Sequence, residues 1–242
     1  MNLTNVPYAL LNDYPYWLVG AILILSFALL YFSLTLSLFL VFNWSIKKGI
    51  AQKVSKFDLF KNQIRFELLR SSMSIVIFGL YGLLIVVCYR NEVVSMSFEY
   101  DYMLVVDLLI LAVWNEVHFY LGHKLLHTRL FVEVHKVHHK SNVVTPFSTF
   151  SFHPLEALIL GSVMILPMLV IEFEVMAPVL FPIYSLFFNI LGHSNVKLIK
   201  KTGVIKTVET STNHNNHHTK YHSNFGFASP IMDRLMRTNY KK

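Results

Sequence analysis

"WLVGAILILSFALLYFSLTLSLFLVFN", residues 17–43, runs for 27 residues without a charged side chain. A helix of that length rises about 40 Å, enough to cross the roughly 30 Å hydrocarbon core of a bilayer with some tilt. The residues before it include no Lys or Arg, so they lack the basic leader of a cleaved signal peptide, and the segment reads as a retained first span. The rest of the chain agrees. Over 242 residues, 54% are hydrophobic and 14% charged, with mean hydropathy +0.49. A soluble domain carries about twice that charge. The expected fold is an all-α integral membrane protein.

Further along, residues 72–89 form a second apolar span, and residues 102–122 a third, interrupted by Asp107 and Glu116. Residues 155–191 are again apolar and long enough for a helical hairpin, with Pro167, Pro178 and Pro182 as candidate breaks. Between the first two spans, residues 44–71 carry seven Lys or Arg and read as a cytoplasmic loop or an interfacial amphipathic helix. Placing residues 44–71, 123–154 and 192–242 on one side gathers 20 of the 21 basic residues there, with Arg90 the exception. By the positive-inside rule that side is cytoplasmic and the N-terminus lies outside. The expectation is about four transmembrane helices or helical hairpins with a cytoplasmic histidine-rich cap.

Net charge of +7 raises nucleic acid as a partner, but no zinc-finger spacing or aromatic–basic platform accompanies it, so none is expected. The single cysteine, Cys88, rules out an intrachain disulfide. The terminal "NYKK" lacks the lysine spacing of a retrieval signal for the endoplasmic reticulum, which favours a bacterial inner membrane, with the endoplasmic reticulum as the alternative.

All twelve histidines lie after residue 117. A lone histidine on an apolar helix is most often a hydrogen-bonded core residue, but these are grouped. His123 and His127 are four apart. His135, His138 and His139 repeat the i, i+3, i+4 spacing, as do His214, His217 and His218. On helices each set shares a face, so each can aim its imidazoles at one point. Neutral imidazole ligates Fe, Zn, Cu and Ni. With no Cys-x-x-Cys and no His-Glu-x-x-His, a structural zinc site or zinc protease does not fit. Eight to ten imidazoles at a membrane surface fit a dinuclear centre with open positions. A non-catalytic metal store or transporter is the competing class.

"HKLLH" (123–127), "HKVHH" (135–139) and "HNNHH" (214–218) resemble the histidine boxes of the fatty acid hydroxylase superfamily, and "TPFSTFSFHPLEAL" (145–158), "LGHS" (191–194), "NFG" (224–226) and "MDRLMRT" (232–238) resemble its sterol desaturase branch. The resemblance covers roughly residues 112–240 and divides the chain into N-terminal spans, 1–111, and a catalytic domain, 112–242. It implies a non-haem di-iron oxygenase that hydroxylates or desaturates a membrane lipid, sterol-like or fatty-acyl. Two Fe ions, replaced by Zn in some purified members, would use O₂ and electrons from NAD(P)H through cytochrome b5, ferredoxin or a reductase. Carried over, the ligands are His123, His127, His135, His138, His139, His193, His214, His217 and His218. Glu116, His153 and Asn189 are candidates for an additional ligand or for orienting one. His118, about 140° round a helix from His123, points elsewhere, and His222 stays outside the ligand set. Substrate, regiochemistry, electron donor and oligomeric state are left open.

Overall fold

The computed structural model describes residues 5–99, 101–199 and 207–240. In chain order the elements are α1 (Asn5–Asn12), α2 (Tyr16–Lys47), β1 (Ala51–Lys53), α3 (Gln63–Arg90), β2 (Met96–Ser97), α4 (Met103–Leu126), α5 (Val132–His139), α6 (Pro154–Gly161), α7 (Ile165–Met168), β3 (Phe173–Glu174), α8 (Met176–Gly192), β4 (Val196–Leu198), α9 (Thr207–Lys220) and α10 (Ile231–Leu235). Three of them, α2, α3 and α4, are long and apolar enough to cross a membrane. Their outward faces carry exposed leucines such as Leu29, at 73% exposure, which only a lipid surround accommodates without cost. The chain is a mostly helical membrane protein.

α2 and α3 pack directly on each other, and glycine permits it. A Cβ at Gly79 would lie 2.8 Å from the Ile24 Cα, so only glycine lets the backbones meet there, as small residues do between membrane helices. The apolar core then runs across residue 111: Val19, Ile85 and Leu111 pack with Phe173 and Phe181.

Several boundaries differ from the sequence reading. The basic segment 44–71 holds no separate amphipathic helix. α2 continues to Lys47 and α3 begins at Gln63, leaving a loop whose β1 pairs antiparallel with β4, Ala51 opposite Leu198. Extension of α3 below residue 72 brings Glu67 into a buried hydrogen-bond hub. Its carboxylate accepts from Gln63 Nε2 (2.7 Å), Ser141 Oγ (2.8 Å) and Thr145 Oγ1 (2.5 Å). The segment after the second histidine box is thereby tied to the membrane helices. Tyr31 and Ser71 reinforce the tie, both hydroxyls donating to the Phe147 carbonyl at 2.8 and 3.1 Å.

The apolar stretch 155–191 does fold back, through α6, α7 and α8, each shorter than the roughly 20 residues of a full span. The reversal falls at residues 169–175, after Pro167. α8 runs on through Pro178 and Pro182. Pro178 costs nothing, because the first turn of a helix has no intrahelical partner for its N–H; Pro182 removes one interior bond. At the reversal, β3 pairs in parallel with β2, and the Glu174 N–H donates to Asp107 Oδ2 at 2.7 Å. α4 and α8 consequently end on the same side, delivering their terminal histidines to one end of the bundle. Arg90 lies at the other end, where its guanidinium donates to the carbonyls of Leu10, Leu11 and Tyr14.

Candidate metal centre

Four helices converge at the histidine-bearing end. The C-terminal turn of α4 carries His123, with His127 as its cap; α5 carries His135, His138 and His139; His193 caps α8; and α9 carries His214, His217 and His218. Their ring nitrogens fall into two compact sets, His123, His127, His135, His139 and His217 in the first and His138, His193, His214 and His218 in the second, with the facing atoms of each set within 4.8 Å of one another. In the first, Nε2 atoms approach at 3.0 Å (His127–His217 and His135–His139) and 3.1 Å (His139–His217). In the second, His193 Nε2 lies 3.2 Å from His138 and 3.0 Å from His214, and His214 lies 3.1 Å from His218. These nine are the residues that the three boxes and the "LGHS" segment select.

Each box does not aim at a single point, however. His135 and His139, four apart on α5, face the first set, while His138 between them faces the second; on α9, His217 joins the first and His214 and His218 the second. The two i, i+3, i+4 boxes therefore each feed both sets, which interlocks the sets through α5 and α9.

The outer nitrogens show why the inner ones face inward. His123 Nδ1 lies 3.0 Å from the Phe225 carbonyl, His193 Nδ1 2.9 Å from the Asn189 carbonyl and His217 Nδ1 2.7 Å from the Ser223 carbonyl. A carbonyl only accepts, so each Nδ1 carries the proton and each Nε2 presents a lone pair to the centre. His135 Nδ1 pairs in the same way with Glu156 Oε1 at 2.8 Å, both side chains buried. Burial, with added repulsion from neighbouring imidazoles, holds His135, His138, His139, His214 and His218 well below the usual 6.5; burial chiefly takes His127 and His193 down to about 4 and His217 to about 3. Neutral imidazoles are the form that binds metal. Two nitrogens each about 2.1 Å from one ion and at right angles stand about 3 Å apart, matching the observed approaches. The donor set fits two transition-metal ions.

The other candidates fall elsewhere. Glu116 does not orient an imidazole: its Oε1 accepts from the backbone N–H groups of Ala228 (3.0 Å) and Ser229 (3.1 Å) and its Oε2 from the Ser229 hydroxyl (3.2 Å), anchoring the C-terminal loop to α4. His153 is the N-cap of α6, its Nδ1 accepting from the Leu155 N–H at 3.2 Å, and belongs to neither set. Asn189 reaches His193 through its backbone carbonyl, while its side chain lines a cavity. His118 lies outside both sets, with Nε2 3.0 Å from Ser162 Oγ, and His222 is exposed.

Glu156 is the functional group that sequence reasoning missed, although an acid inside an apolar stretch is a signal worth following. Asp233 was also missed. Its carboxylate accepts from the N–H groups of Phe225 and Gly226, both at 2.8 Å, and so fixes the carbonyl that orients His123. A Cβ at Gly226 would lie 2.7 Å from Asp233 Oδ2, which explains both the "NFG" and the "MDR" landmarks.

Beside the centre, a cavity of about 350 Å³ extends between the helices. Phe119 and Phe152 line its near end and contact His123 and His138, with ring centroids 5.1 and 5.0 Å apart.

Comparison with known proteins gives the same direction. A family model described as fatty acid hydroxylase matches residues 108–238. The Delta(7)-sterol 5(6)-desaturase ERG3 of Saccharomyces cerevisiae is 32% identical over 118 residues, 48% of this chain and 31% of that protein. The Delta(7)-sterol 5(6)-desaturase erg31 of Schizosaccharomyces pombe is 26% identical over 237 residues, 90% of this chain and 69% of that protein. The very-long-chain aldehyde decarbonylase GL1-7 of Oryza sativa subsp. japonica is 30% identical over 132 residues, 50% of this chain and 21% of that protein. The chain spans less than a third of the length of the first of the curated relatives it matches. No solved structure matches at a significant level.

Proposed function

The chain belongs to the fatty acid hydroxylase family, and on that premise we propose that it is a membrane-bound non-haem di-iron oxygenase that hydroxylates or desaturates a lipid. The substrate is sterol-like or fatty-acyl, the oxidant is O₂, and two electrons come from an NAD(P)H-linked donor through cytochrome b5, ferredoxin or a reductase. The observation that carries this reading is the pair of convergent imidazole sets beside an apolar cavity. The names of its relatives, sterol desaturases and aldehyde decarbonylases, support chemistry on a lipid.

In this reading His123, His127, His135, His139 and His217 hold one ion and His138, His193, His214 and His218 the other. When bound, an iron pair supplies reduction of O₂ and removal of hydrogen from an unactivated C–H bond. The chain does the rest. Glu156 and the carbonyls of Phe225, Asn189 and Ser223 hold protons on the outer nitrogens, which fixes tautomer and ring orientation. Phe119 and Phe152 stand between the cavity and the imidazoles, an apolar wall that excludes water. The charge distribution supports a cytoplasmic position for this end with the N-terminus outside, in a bacterial inner membrane or the endoplasmic reticulum.

The test is metal content and lipid product in cells carrying the wild type or His138→Ala. About two metals per chain and a product absent from the variant are expected. The competing reading, a metal store or transporter, predicts metal without lipid-dependent O₂ consumption; an unchanged product in the variant overturns the site.

A further inference from the structure

Among the described residues, four aromatic rings other than imidazoles touch the nine histidines. Phe119 and Phe152 line the cavity, and Phe225 is buried. Tyr221 alone of the four reaches the surface, at 37% exposure. Its ring lies against that of His139, with centroids 4.6 Å apart and planes at 33°. His139 in turn lies against His218, 4.5 Å away at 34°. Because His139 belongs to the first imidazole set and His218 to the second, this column of three rings joins the surface to a member of each set.

Tyr221 is held there against backbone preference. It follows the end of α9 with φ +62°, the left-handed conformation in which a helix ordinarily ends on glycine and which a bulky ring seldom adopts. Its N–H donates to the His217 carbonyl at 2.9 Å and its hydroxyl to Asn142 Oδ1 at 3.2 Å. The second bond ties the end of α9 to the residues just after α5 and keeps the ring over His139. Strained backbone of this kind gathers at functional sites.

The surroundings are basic. Residues 123–142 and 214–222 contain five Lys or Arg and a single acid, Glu133, which pairs with Lys136. Lys124, Arg129, Lys140 and Lys220 are exposed and make no ion pair among the described residues. Lys140 follows His139 in the chain, its ammonium over the Phe66 ring at 4.6 Å, and Lys220 precedes Tyr221. Positive charge therefore stands on both segments that carry the column.

We infer that Tyr221 is the port through which electrons reach the metal centre, and that the basic face around it docks an acidic one-electron carrier protein. This rests on the oxygenase reading, which needs two electrons per turnover. At each encounter the carrier is oxidised by one electron and the centre reduced by one. No atom is transferred, Tyr221 keeps its phenolic proton, and two encounters complete the pair. Electron tunnelling falls steeply with distance, so rings in contact favour this route, and one port serves both sets through His139 and His218. The acidic character of the partner follows from charge complementarity, which steers encounter and orients docking.

The experiment uses the full chain in phosphatidylcholine nanodiscs with three carriers: the soluble domain of cytochrome b5 and a plant-type ferredoxin, both acidic, and cytochrome c, which is basic. At least one acidic carrier is expected to bind metal-free and iron-loaded chain alike, about ten-fold or more tightly than cytochrome c. That affinity should fall about ten-fold or more as salt rises from about 0.02 to about 0.3 M, and again in the double variant Lys140→Glu, Lys220→Glu. In iron-loaded protein, Tyr221→Leu should slow oxidation of the bound reduced carrier about ten-fold or more, with Kd changed about two-fold or less and with metal content and reduction by dithionite unchanged. Tyr221→Phe should restore most of the rate. Tyr221→Met is the second non-aromatic variant, and loss of metal in both would make the ring structural and overturn the port. Binding by neither acidic carrier, cytochrome c bound as tightly, charge reversal that alters only association with anionic lipid vesicles, or carrier oxidation unchanged in Tyr221→Leu also overturns the inference. Tyr221-dependent reduction without lipid-dependent O₂ consumption would keep this inference and remove the oxygenase reading; lipid product with carrier oxidation unchanged in Tyr221→Leu would do the reverse.

Discussion

The two imidazole sets are built from the same residue type but held in different ways. In the first, His123, His135 and His217 each have their outer nitrogen on a protein acceptor, and one acceptor is the buried carboxylate of Glu156. In the second, His193 has such a partner and His138 meets the Ser151 backbone, while the outer nitrogen of His218 has none, as is true of His139 in the first set; the difference between the sets is the carboxylate. A carboxylate behind an imidazole raises its basicity and fixes its orientation. The first set should therefore hold its ion more tightly, and the second should exchange first. Chelation of the loaded protein is expected to proceed in two phases, about one metal per phase.

The largest effect on this contrast is expected from His138→Ala, which removes a ligand from the weaker set. Metal should fall from about two to about one per chain, and lipid product should disappear, measured by elemental analysis and lipid profiling. Next is Glu156→Ala, expected to weaken metal binding at the first set by about 10–100-fold and to merge the two phases. Glu156→Gln keeps an acceptor oxygen and should lie between. Full retention of both phases in Glu156→Ala would remove the carboxylate from the argument.

A pH titration tests what the sets share. Their histidines titrate in the fold well below 6.5, with His127 and His193 at about 4. Between those values the unfolded chain binds more protons than the folded one, so stability rises with pH across the window and is lost as pH falls from about 6.5 towards about 4. Metal should dissociate over the same range, earlier from the second set. Smaller again is Glu67→Ala, which strands the donors of Gln63, Ser141 and Thr145; a loss of about 1–3 kcal/mol in stability is expected, read as a lower unfolding temperature with metal stoichiometry retained. The smallest is His153→Ala, which should leave metal content unchanged, because its ring caps α6.

Much of this could be read from the chain alone. One charge-free run of 27 residues and the shorter apolar runs after it mark helices that only a bilayer surrounds comfortably, and clusters spaced i, i+3, i+4 mark imidazoles on helix faces; these are local signals. Glu116 shows where such reading stops. Its place seven residues before His123 suggests an orienting carboxylate, yet the backbone of Ala228 and Ser229 occupies it. Glu156, 21 residues from the His135 it contacts, has the orienting role because the hairpin folds α6 back beneath α5.

The sequence by itself determined the membrane-helical class, the family and the nine histidines that gather, since hydropathy and helical spacing are properties of neighbouring residues. Only the tertiary structure decided how those nine divide into five and four, which acceptors fix their tautomers and that Phe119 and Phe152 stand between them and a cavity. Those relations join residues far apart in the chain, and they exist only once helix packing has set the distances between them.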